Sequence, residues 1–327
     1  MSNHGNSIKL ITGNSHSKLA QDVADRLGIQ LVPTTVKKFS NGETNVKIGS
    51  SVRDEDVFII QSSCPDVNDH FMELLILIHA CKIASATRIT AVIPCFPYQR
   101  QDKKDKSRLP ITAKLVANML TVAGADHIIT MDLHASQIQG FFDIPVDNLF
   151  TEPIFLRYIK HQIDGWQHAI IVSPDPGGAK RAAQIADKLQ LDLAMINRKR
   201  SHSGLIEPER MEILVGDVRG KVAILIDDMI DSGRTLTLAT NELVEKGAKA
   251  VYALVSHALL ADANLDELGK LPLERLVVTN TVDQENHKLP DGKLVIVDVA
   301  ATVAESIRRL HNGESISLLF GEHEFMI

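Results

Sequence analysis

The sequence predicts an α/β fold built on parallel sheets, and three observations support this class. Short apolar, β-branched runs recur along the chain, as expected for strands that are covered on both faces. Segments with helical periodicity lie between these runs, and such alternation is typical of parallel sheets flanked by helices. The length of 327 residues is large for one hydrophobic core and suits two domains.

The elements follow from this alternation of apolar runs and helical patterns. The predicted strands are Ile8–Thr12, Val57–Gln61, Ile89–Ile93, His127–Met131, Ala169–Ser173, Asp192–Ile196, Val222–Ile226, Ala250–Val255, Leu276–Thr279 and Leu294–Asp298. The helical patterns include His16–Leu27, Asp69–Ala84, Ile111–Val122, Gly178–Leu189 and Thr235–Lys246.

A weak internal repeat indicates two similar halves. Gly124 leads through a predicted strand to His134, and Gly247 leads through another to His257 at the same spacing. In both places the glycine suits the end of a helix. A duplication and a chance match explain this pattern equally well.

Composition and charge limit the classes of function. The chain is 44% hydrophobic and 23% charged, which is ordinary for a globular protein. The net charge of −6 and the pI near 6.1 argue against a nucleic-acid partner. No apolar run is long enough to span a membrane, and the N-terminus shows no targeting pattern. Three cysteines without CxxC spacing suit reduced thiols, so we expect a cytoplasmic protein.

The segment Val222–Thr235 carries the strongest chemical signal. An apolar strand is predicted to end at Ile226 and to deliver two carboxylates, and a turn then opens a helix. Helix amides without internal partners favour a phosphate, and the carboxylates suit sugar hydroxyls or hydrated Mg²⁺. The polar residues of the segment are Asp227, Asp228, Asp231, Ser232, Gly233, Arg234 and Thr235. An acidic strand end followed by a serine cap is the simpler alternative.

Three further loops follow predicted strands. In Phe96–Lys106 an aromatic cluster leads into alternating cations and carboxylates, which suits a nucleotide triphosphate. His134 follows a strand beside Asp132 and could ligate or orient a metal complex, although a structural histidine is more common. Ser173–Arg181 repeats the design of a strand, a glycine loop and a helix, with Asp175 at its start.

These motifs together resemble those of class I phosphoribosyl pyrophosphate (PRPP) synthetases. The resemblance rests on Phe39–Glu43, Pro94–Lys106, Ala125–His134, Ser173–Arg181 and Asp227–Thr235, and it extends from about Ile8 to Phe320. Nucleobase phosphoribosyltransferases share only the last of these motifs, and both the nucleotide-like loop and the chain length disfavour them. The resemblance implies two similar type I phosphoribosyltransferase-like domains, each with a mostly parallel sheet flanked by helices.

The resemblance also implies a domain boundary and a set of site residues. The boundary is expected near Asn148–Glu152, giving an N-terminal domain (1–150) on the ATP side and a C-terminal domain (151–327) with the ribose-5-phosphate loop. The implied ATP contacts are Phe39, Asn41 and Glu43 from a neighbouring subunit, with Arg100, Gln101, Asp105 and His134. His134 and Asp175 would serve the Mg²⁺–ATP complex, and Asp227, Asp228 and Asp231 to Thr235 would hold ribose 5-phosphate.

Two positions depart from the family pattern. The mobile catalytic loop of the family carries a Lys-x-Arg pair, whereas this chain reads Arg198-Lys199-Arg200. A shift of one residue would present Lys199 in place of Arg198. Arg234 stands where the family usually has glycine, so a long cation lies beside the sugar phosphate.

The resemblance implies a ribose-phosphate diphosphokinase, which transfers the diphosphoryl group of Mg²⁺–ATP to ribose 5-phosphate and gives PRPP and AMP for nucleotide biosynthesis. The departures at Arg198 and Arg234 motivate an alternative, a weakly active or non-catalytic regulatory paralogue. The resemblance further implies a homo-oligomer, at least a dimer and by family a hexamer, in which other paralogues could join. Phosphate or ADP is the implied effector, at Ser51, Arg53, Lys104, Ser107, Arg108, Ser315 and Ser317.

Overall fold

A computed structural model of the protein describes residues 6–104, 106–199 and 210–320. The contacts of the chain divide it into two compact units. Unit 1 comprises Met1–Phe150, Thr281–Asp283 and Asp298–Ile327, and unit 2 comprises Thr151–Asn280 and Gln284–Val297. In this division Asp298–Ile327 is grouped with unit 1, and the domains 1–150 and 151–327 expected from the sequence stay a prediction.

Unit 1 is built on a five-stranded parallel sheet with the order β1-β4-β5-β6-β7. Its elements are β1 (Ile8–Thr12), α1 (Ser17–Leu27), β2 (Thr34–Lys38), β3 (Thr44–Ile48), β4 (Asp56–Ile60), α2 (Val67–Ile83), β5 (Arg88–Ile93), α3 (Thr112–Ala123), β6 (His127–Met131) and β7 (Val146–Leu149). A 3₁₀ turn, Ser136–Phe141, precedes β7. The strands β2 and β3 pair only with each other, as an antiparallel hairpin outside the main sheet.

Unit 2 is built on a seven-stranded sheet with the order β10-β9-β8-β11-β12-β13-β14. Its elements are α4 (Glu152–Gln162), β8 (Ile170–Ser173), α5 (Ala179–Leu189), β9 (Asp192–Lys199), β10 (Arg210–Val215), β11 (Val222–Ile230), α6 (Arg234–Glu245), β12 (Ala250–Ala258), α7 (Asp262–Gly269), β13 (Arg275–Thr279) and β14 (Leu294–Val297). All neighbouring strands run parallel except the edge pair of β9 and β10.

The last helix returns to unit 1. This helix, α8 (Ala300–Asn312), packs against α1, and a 3₁₀ turn, Ile316–Phe320, follows it. Its apolar face buries Val303 and Ile307. Near its end, His311 Nδ1 lies 2.7 Å from Asp56 Oδ2 at the start of β4. These contacts explain why the C-terminal segment belongs to the first unit.

The two sheets share an order of five parallel strands, in which β1-β4-β5-β6-β7 of unit 1 corresponds to β8-β11-β12-β13-β14 of unit 2. The prediction of two similar α/β domains is therefore confirmed. The internal repeat noted in the sequence is a different matter, because Gly124 precedes β6 and Gly247 precedes β12. These strands hold the fourth and third places of the shared order, so the repeat does not pair equivalent elements.

The strands are buried because helices cover both faces of each sheet. All five residues of β4 and all four of β8 are buried, which accounts for their uninterrupted apolar sequences. Within the residues that the structure describes, no helix has both the length and the apolar composition required to cross a bilayer.

Candidate active site

The loop with the strongest chemical signal follows β11 in unit 2. This strand was expected to end at Ile226, but it continues through Ile230, so that expectation is wrong. Pairing with β12 persists from Asp227 opposite Val255 to Ile230 opposite Ala258, which overrides the low strand propensity of aspartate. The two carboxylates therefore lie within the strand, where the backbone holds them rigidly.

Gly233 makes the turn from β11 into α6 possible. Its φ is +73°, in the left-handed region that residues with a side chain rarely adopt. A Cβ atom at this position would lie 2.7 Å from Leu268 Cδ2, a side chain buried in the core of unit 2. The turn accordingly has neither the conformation nor the space for another residue type.

The carboxylates of β11 are crowded. Asp228 is 5% exposed, its backbone amide donates to Asp227 Oδ1 at 2.9 Å, and Arg181 Nη1 lies 3.4 Å from its Oδ1 atom. Burial, followed by the charges of Asp228 and Asp175, raises the pKa of Asp227 well above its usual range. Burial and the neighbouring carboxylates thus disfavour the charged form of Asp227. Sequence reasoning did not assign a role to Arg181, since only the fold brings it to Asp228.

Asp175 belongs to the loop between β8 and α5. Its Oδ1 atom accepts the amide of Gly178 at 2.9 Å, and its carbonyl oxygen accepts the hydroxyl of Ser173 at 2.7 Å. These bonds fix the carboxylate at the carboxyl end of the sheet, on the strand next to β11. The other carboxylate oxygen of Asp175, Oδ2, takes no part in the bond to Gly178.

The start of α6 presents polar groups to solvent. Ser232, Arg234 and Thr235 are exposed, and the Arg234 amide lies 3.5 Å from Ser232 Oγ. The first helical hydrogen bond here is donated by Thr237 to the carbonyl of Gly233. The preceding amides and the two hydroxyls therefore form an arrangement that suits an anion.

In unit 1 the predicted ATP residues follow β5 and β6, which are neighbours in the sheet. Arg100, Gln101 and His134 are all exposed. The buried side chain of Gln99 accepts the backbone amide of His134 at 2.8 Å, so it links the two loops. The sequence motif contains Gln99, but nothing in the pattern indicated this linking role.

The tip of the β2–β3 hairpin carries the three residues predicted to reach a neighbouring subunit. Phe39 is 54% exposed, and its backbone amide donates to the carbonyl of Glu43 at 2.8 Å. Asn41 Oδ1 accepts the Glu43 amide at 3.2 Å. An exposed aromatic ring on a closed turn is available for contact with another molecule.

The predicted effector residues lie in three exposed segments of unit 1. Ser51 Oγ accepts the amide of Arg53 at 3.4 Å. After α8, the hydroxyls of Ser315 and Ser317 lie 2.6 Å apart, and Arg309 donates to the Ser315 carbonyl at 3.0 Å. Lys104, Ser107 and Arg108 are exposed in the loop before α3.

Comparison with known proteins agrees with these features. Residues 8–124 match the N-terminal domain of ribose phosphate pyrophosphokinase, and residues 205–321 match the phosphoribosyl synthetase-associated domain. A phosphoribosylpyrophosphate synthetase from Mycobacterium smegmatis is 40% identical, with a TM-score of 0.87, over 94% of this chain and 100% of that chain. The chain belongs to the phosphoribosylpyrophosphate synthetase family. The predicted family, and with it the class of ribose-phosphate diphosphokinase, is confirmed.

Two phosphoribosyltransferases of known structure match part of this synthetase-family chain at lower similarity. A purine phosphoribosyltransferase from Pyrococcus horikoshii is 19% identical, with a TM-score of 0.26, over 45% of this chain and 84% of that chain. An adenine phosphoribosyltransferase from Trypanosoma brucei is 19% identical, with a TM-score of 0.31, over 42% of this chain and 66% of that chain.

The predicted catalytic segment of the synthetase-family chain is described only in part. Arg198 lies on β9 with an exposed side chain, opposite Met211 of β10. Arg200, Asp105 and the side chain of Lys199 lie outside the described residues. The two predicted metal residues belong to different units, His134 to unit 1 and Asp175 to unit 2.

Proposed function

We propose that this chain transfers the diphosphoryl group of Mg²⁺–ATP to the anomeric hydroxyl of ribose 5-phosphate, giving PRPP and AMP. The observation that carries the proposal is the site at the end of β11, where the half-buried Asp227 and the buried Asp228 lie on the strand that leads into a glycine turn and a helix N-terminus. The membership of the synthetase family supplies the reaction for which such a site is suited.

Ribose 5-phosphate is assigned to unit 2. The hydroxyls of Ser232 and Thr235 and the first amides of α6 would donate to its phosphate. Asp227 and Asp228 would accept hydrogen bonds from the ribose hydroxyls. The ion pair with Arg181 holds the carboxylate of Asp228 in its orientation. Arg234, exposed at the first position of α6, adds a cation at the phosphate end, while Asp231 lies in the turn before it.

ATP is assigned to unit 1. Arg100, Gln101 and Asp105 would help to bind ATP, with Arg100 as the donor to its phosphates, and the backbone amide of His134 is held by Gln99. Phe39, Asn41 and Glu43 of a neighbouring subunit would contact the adenine. This arrangement requires at least a dimer, and we propose a homo-oligomer, a hexamer by analogy with the family.

Magnesium is the proposed metal, and the donors fit it. Within the described parts of the chain no three His, Cys, Asp or Glu side chains form a metal site by themselves. Mg²⁺ characteristically uses one or two carboxylates and completes its shell with water and substrate phosphates. We assign Asp175 and His134 separately as donors toward Mg²⁺, which would neutralise charge on the phosphates of ATP.

The chemistry requires positioning and charge neutralisation. The anomeric oxygen attacks the β-phosphorus, a new O–P bond forms, the α,β-anhydride bond breaks with its electron pair on AMP, and the hydroxyl proton is lost to solvent. The catalyst must align two anionic substrates, so no covalent bond to the protein is needed. Arg198, Lys199 and Arg200 are the proposed cations over the triphosphate.

A weakly active or non-catalytic regulatory paralogue is the second candidate. Arg198 is larger, planar and differently hydrated than the lysine of the family pattern. Arg234 brings a second long cation to the sugar-phosphate end of the site. The change at Arg198 retains a positive charge, the change at Arg234 adds one, and both alter the space available to the substrates.

Release of AMP distinguishes the two candidates. The purified full-length protein is incubated with Mg²⁺, ATP and ribose 5-phosphate, and AMP and PRPP are quantified with time. Turnover by the protein alone supports the enzyme. Saturable binding of both substrates without turnover supports the regulatory paralogue. Omission of ribose 5-phosphate controls for simple ATP hydrolysis.

Anion effectors form a separate part of the proposal. Ser51, Arg53, Ser315 and Ser317 combine hydroxyls with a cation, and Lys104, Ser107 and Arg108 add a basic loop, a composition that suits phosphate or ADP. Titration of activity with phosphate and with ADP, at fixed Mg²⁺, tests this assignment. A response that survives Arg53→Ala combined with Arg108→Ala would contradict it.

A further inference from the structure

The β2–β3 hairpin needs an external support to hold its tip. It is a two-stranded sheet, and a single bridge between Leu10 and Leu31 connects the chain before it to the main sheet. An isolated hairpin of two strands is marginally stable in water. The orientation of the tip residues Phe39–Glu43 therefore depends on what the hairpin packs against.

Apolar contacts support one face of the hairpin. Val36, Val46 and Ile48 pack against the core of unit 1, while the alternate residues of both strands are exposed. Such contacts are non-directional and end before the tip. These contacts hold the hairpin against the rest of unit 1. They do not fix the orientation of its tip, which therefore depends on other interactions.

A polar contact lies directly beside the tip. Lys38 is the last residue of β2, the residue before Phe39, and its ammonium group pairs with Asp69 in the first turn of α2. The hydrogen bond to Asp69, and then the charges of Asp69, Asp66 and Glu73, raise the pKa of Lys38 against a smaller opposing effect of burial. The acidic start of α2 thus faces this one lysine of the hairpin.

A second polar contact reaches the hairpin backbone from the exposed residue Asn14. Asn14 Nδ2 donates to Val36 O at 3.3 Å and to Glu73 Oε1 at 2.9 Å. Glu73, which is 3% exposed, also accepts from the Asn14 amide at 3.2 Å and from Gln61 Nε2 at 2.9 Å. Glu73 and Gln61 are buried whereas Asn14 is exposed, so Asn14 links the backbone of β2 to a buried pair of side chains.

We propose that Lys38, Asp69 and Asn14 are positioning residues that set the hairpin tip for the adenine of ATP bound in a neighbouring subunit. The proposal rests on the proposed function, in which Phe39 contacts that adenine. These three residues touch no substrate. They act by holding the strand that ends one residue before Phe39.

The test compares steady-state kinetics of full-length variants with both substrates varied. Lys38→Met removes the charge and keeps the side-chain length, and Lys38→Arg restores the charge. Lys37→Met is the matched control, since Lys37 is exposed on the same strand but on its opposite face. Phe39→Ala tests the adenine contact itself.

We expect Lys38→Met to raise KM for ATP about threefold, the scale of an exposed ion pair, with kcat and KM for ribose 5-phosphate unchanged. Lys38→Arg restores the KM for ATP, and Lys37→Met does not alter it. Asp69→Asn reproduces the effect of Lys38→Met, and the double variant is no worse than either single one.

Each other result overturns a defined part of the reasoning. If Phe39→Ala raises KM for ATP but Lys38→Met matches Lys37→Met, the positioning role is wrong and the adenine contact stands. If Phe39→Ala leaves KM for ATP unchanged, the adenine contact is wrong and the positioning role falls with it. If Lys38→Met lowers kcat and raises both KM values alike, its role is general stabilisation and the proposal is wrong.

Discussion

Replacement of Gly233 by alanine measures how strongly the turn from β11 into α6 requires glycine. The backbone at Gly233 has φ +73°, and a left-handed residue with a Cβ atom costs roughly 1–2 kcal/mol. The new Cβ would lie 2.7 Å from Leu268 Cδ2 and 3.2 Å from its Cγ atom. Overpacking of this kind in a core costs about 1–3 kcal/mol. We therefore expect Gly233→Ala to lower the free energy of unfolding by about 2–5 kcal/mol.

Gly220 provides the matched control in the same unit. Its φ is +72°, and no atom lies within 4 Å of the position that its Cβ would occupy. Gly220→Ala should therefore carry only the backbone cost of about 1–2 kcal/mol. Urea unfolding followed by the fluorescence of Trp166 measures both variants, because the single tryptophan packs against the core of unit 2.

A double-mutant cycle with Leu268 locates the source of the difference. In a Leu268→Ala background the overlapping methyl groups are gone, so Gly233→Ala should cost about 1–3 kcal/mol less than in the natural chain. The reasoning is refuted if Gly233→Ala costs no more than Gly220→Ala. It is equally refuted if the cost of Gly233→Ala is the same with and without the Leu268 side chain.

Three other perturbations probe buried charge and the catalytic segment. Because the pKa of Asp227 is raised in the folded state, the folded protein binds more protons than the unfolded chain above the ordinary value of 3.8. Stability should thus fall as the pH rises through the raised pKa, and Asp227→Asn should remove this fall in chelator-treated protein unfolded by urea at each pH. Arg88→Met should destabilise unit 1 by about 3 kcal/mol in urea unfolding, since it removes the bidentate partner of the buried carboxylate of Asp56. Arg198→Lys should preserve or raise the rate of AMP release, because lysine restores a compact ammonium group, whereas Lys199→Ala should be mild.

Controls make these outcomes decisive. Arg26 pairs with the exposed Asp298, so Arg26→Met should change stability by less than about 1 kcal/mol. A loss in Arg88→Met no larger than this would contradict the importance of burial at Asp56. An Asp227→Asn protein whose stability runs parallel to that of the natural chain at every pH would contradict the raised pKa. Severe loss in Lys199→Ala alone would favour the shifted register of the catalytic segment.

Strands that are buried on both faces were predictable from sequence, because they consist almost entirely of apolar residues. The prediction of Ile8–Thr12 for β1 and His127–Met131 for β6 matches the structure at both ends. The hairpin of β2 and β3 was not predicted, because one face is exposed and the strands alternate apolar with polar residues over only five positions each. Short, half-exposed strands contain too little apolar signal to distinguish them from loops.

The end of β11 shows a different limit. Two aspartates in succession indicated that the strand had finished, yet pairing with β12 carries the strand four residues further. Local propensity favours a turn there, and the hydrogen bonds of a neighbouring strand outweigh it. The end of β11 is therefore determined by its pairing with β12, and the sequence of β11 alone does not contain it.

The candidate site likewise has features that the local sequence predicts and features that depend on neighbouring elements. Motif positions such as Asp175 and His134 were predictable because loops at the carboxyl ends of parallel strands share one edge of a sheet. The bond from the His134 amide to Gln99 and the ion pair of Arg181 with Asp228 were not, because each joins groups from different parts of the chain. Sequence patterns indicate which residues have chemical potential, whereas their partners depend on packing.

The return of α8 to unit 1 has a consequence for synthesis of the protein. All of unit 2 is encoded between the first and the last part of unit 1, so a ribosome completes unit 2 before α8 emerges. Until then α1 lacks its packing partner, and the carboxylate of Asp56 lacks His311. The unit that begins first is therefore finished last, and nascent unit 1 must tolerate an uncovered apolar helix throughout the translation of its companion.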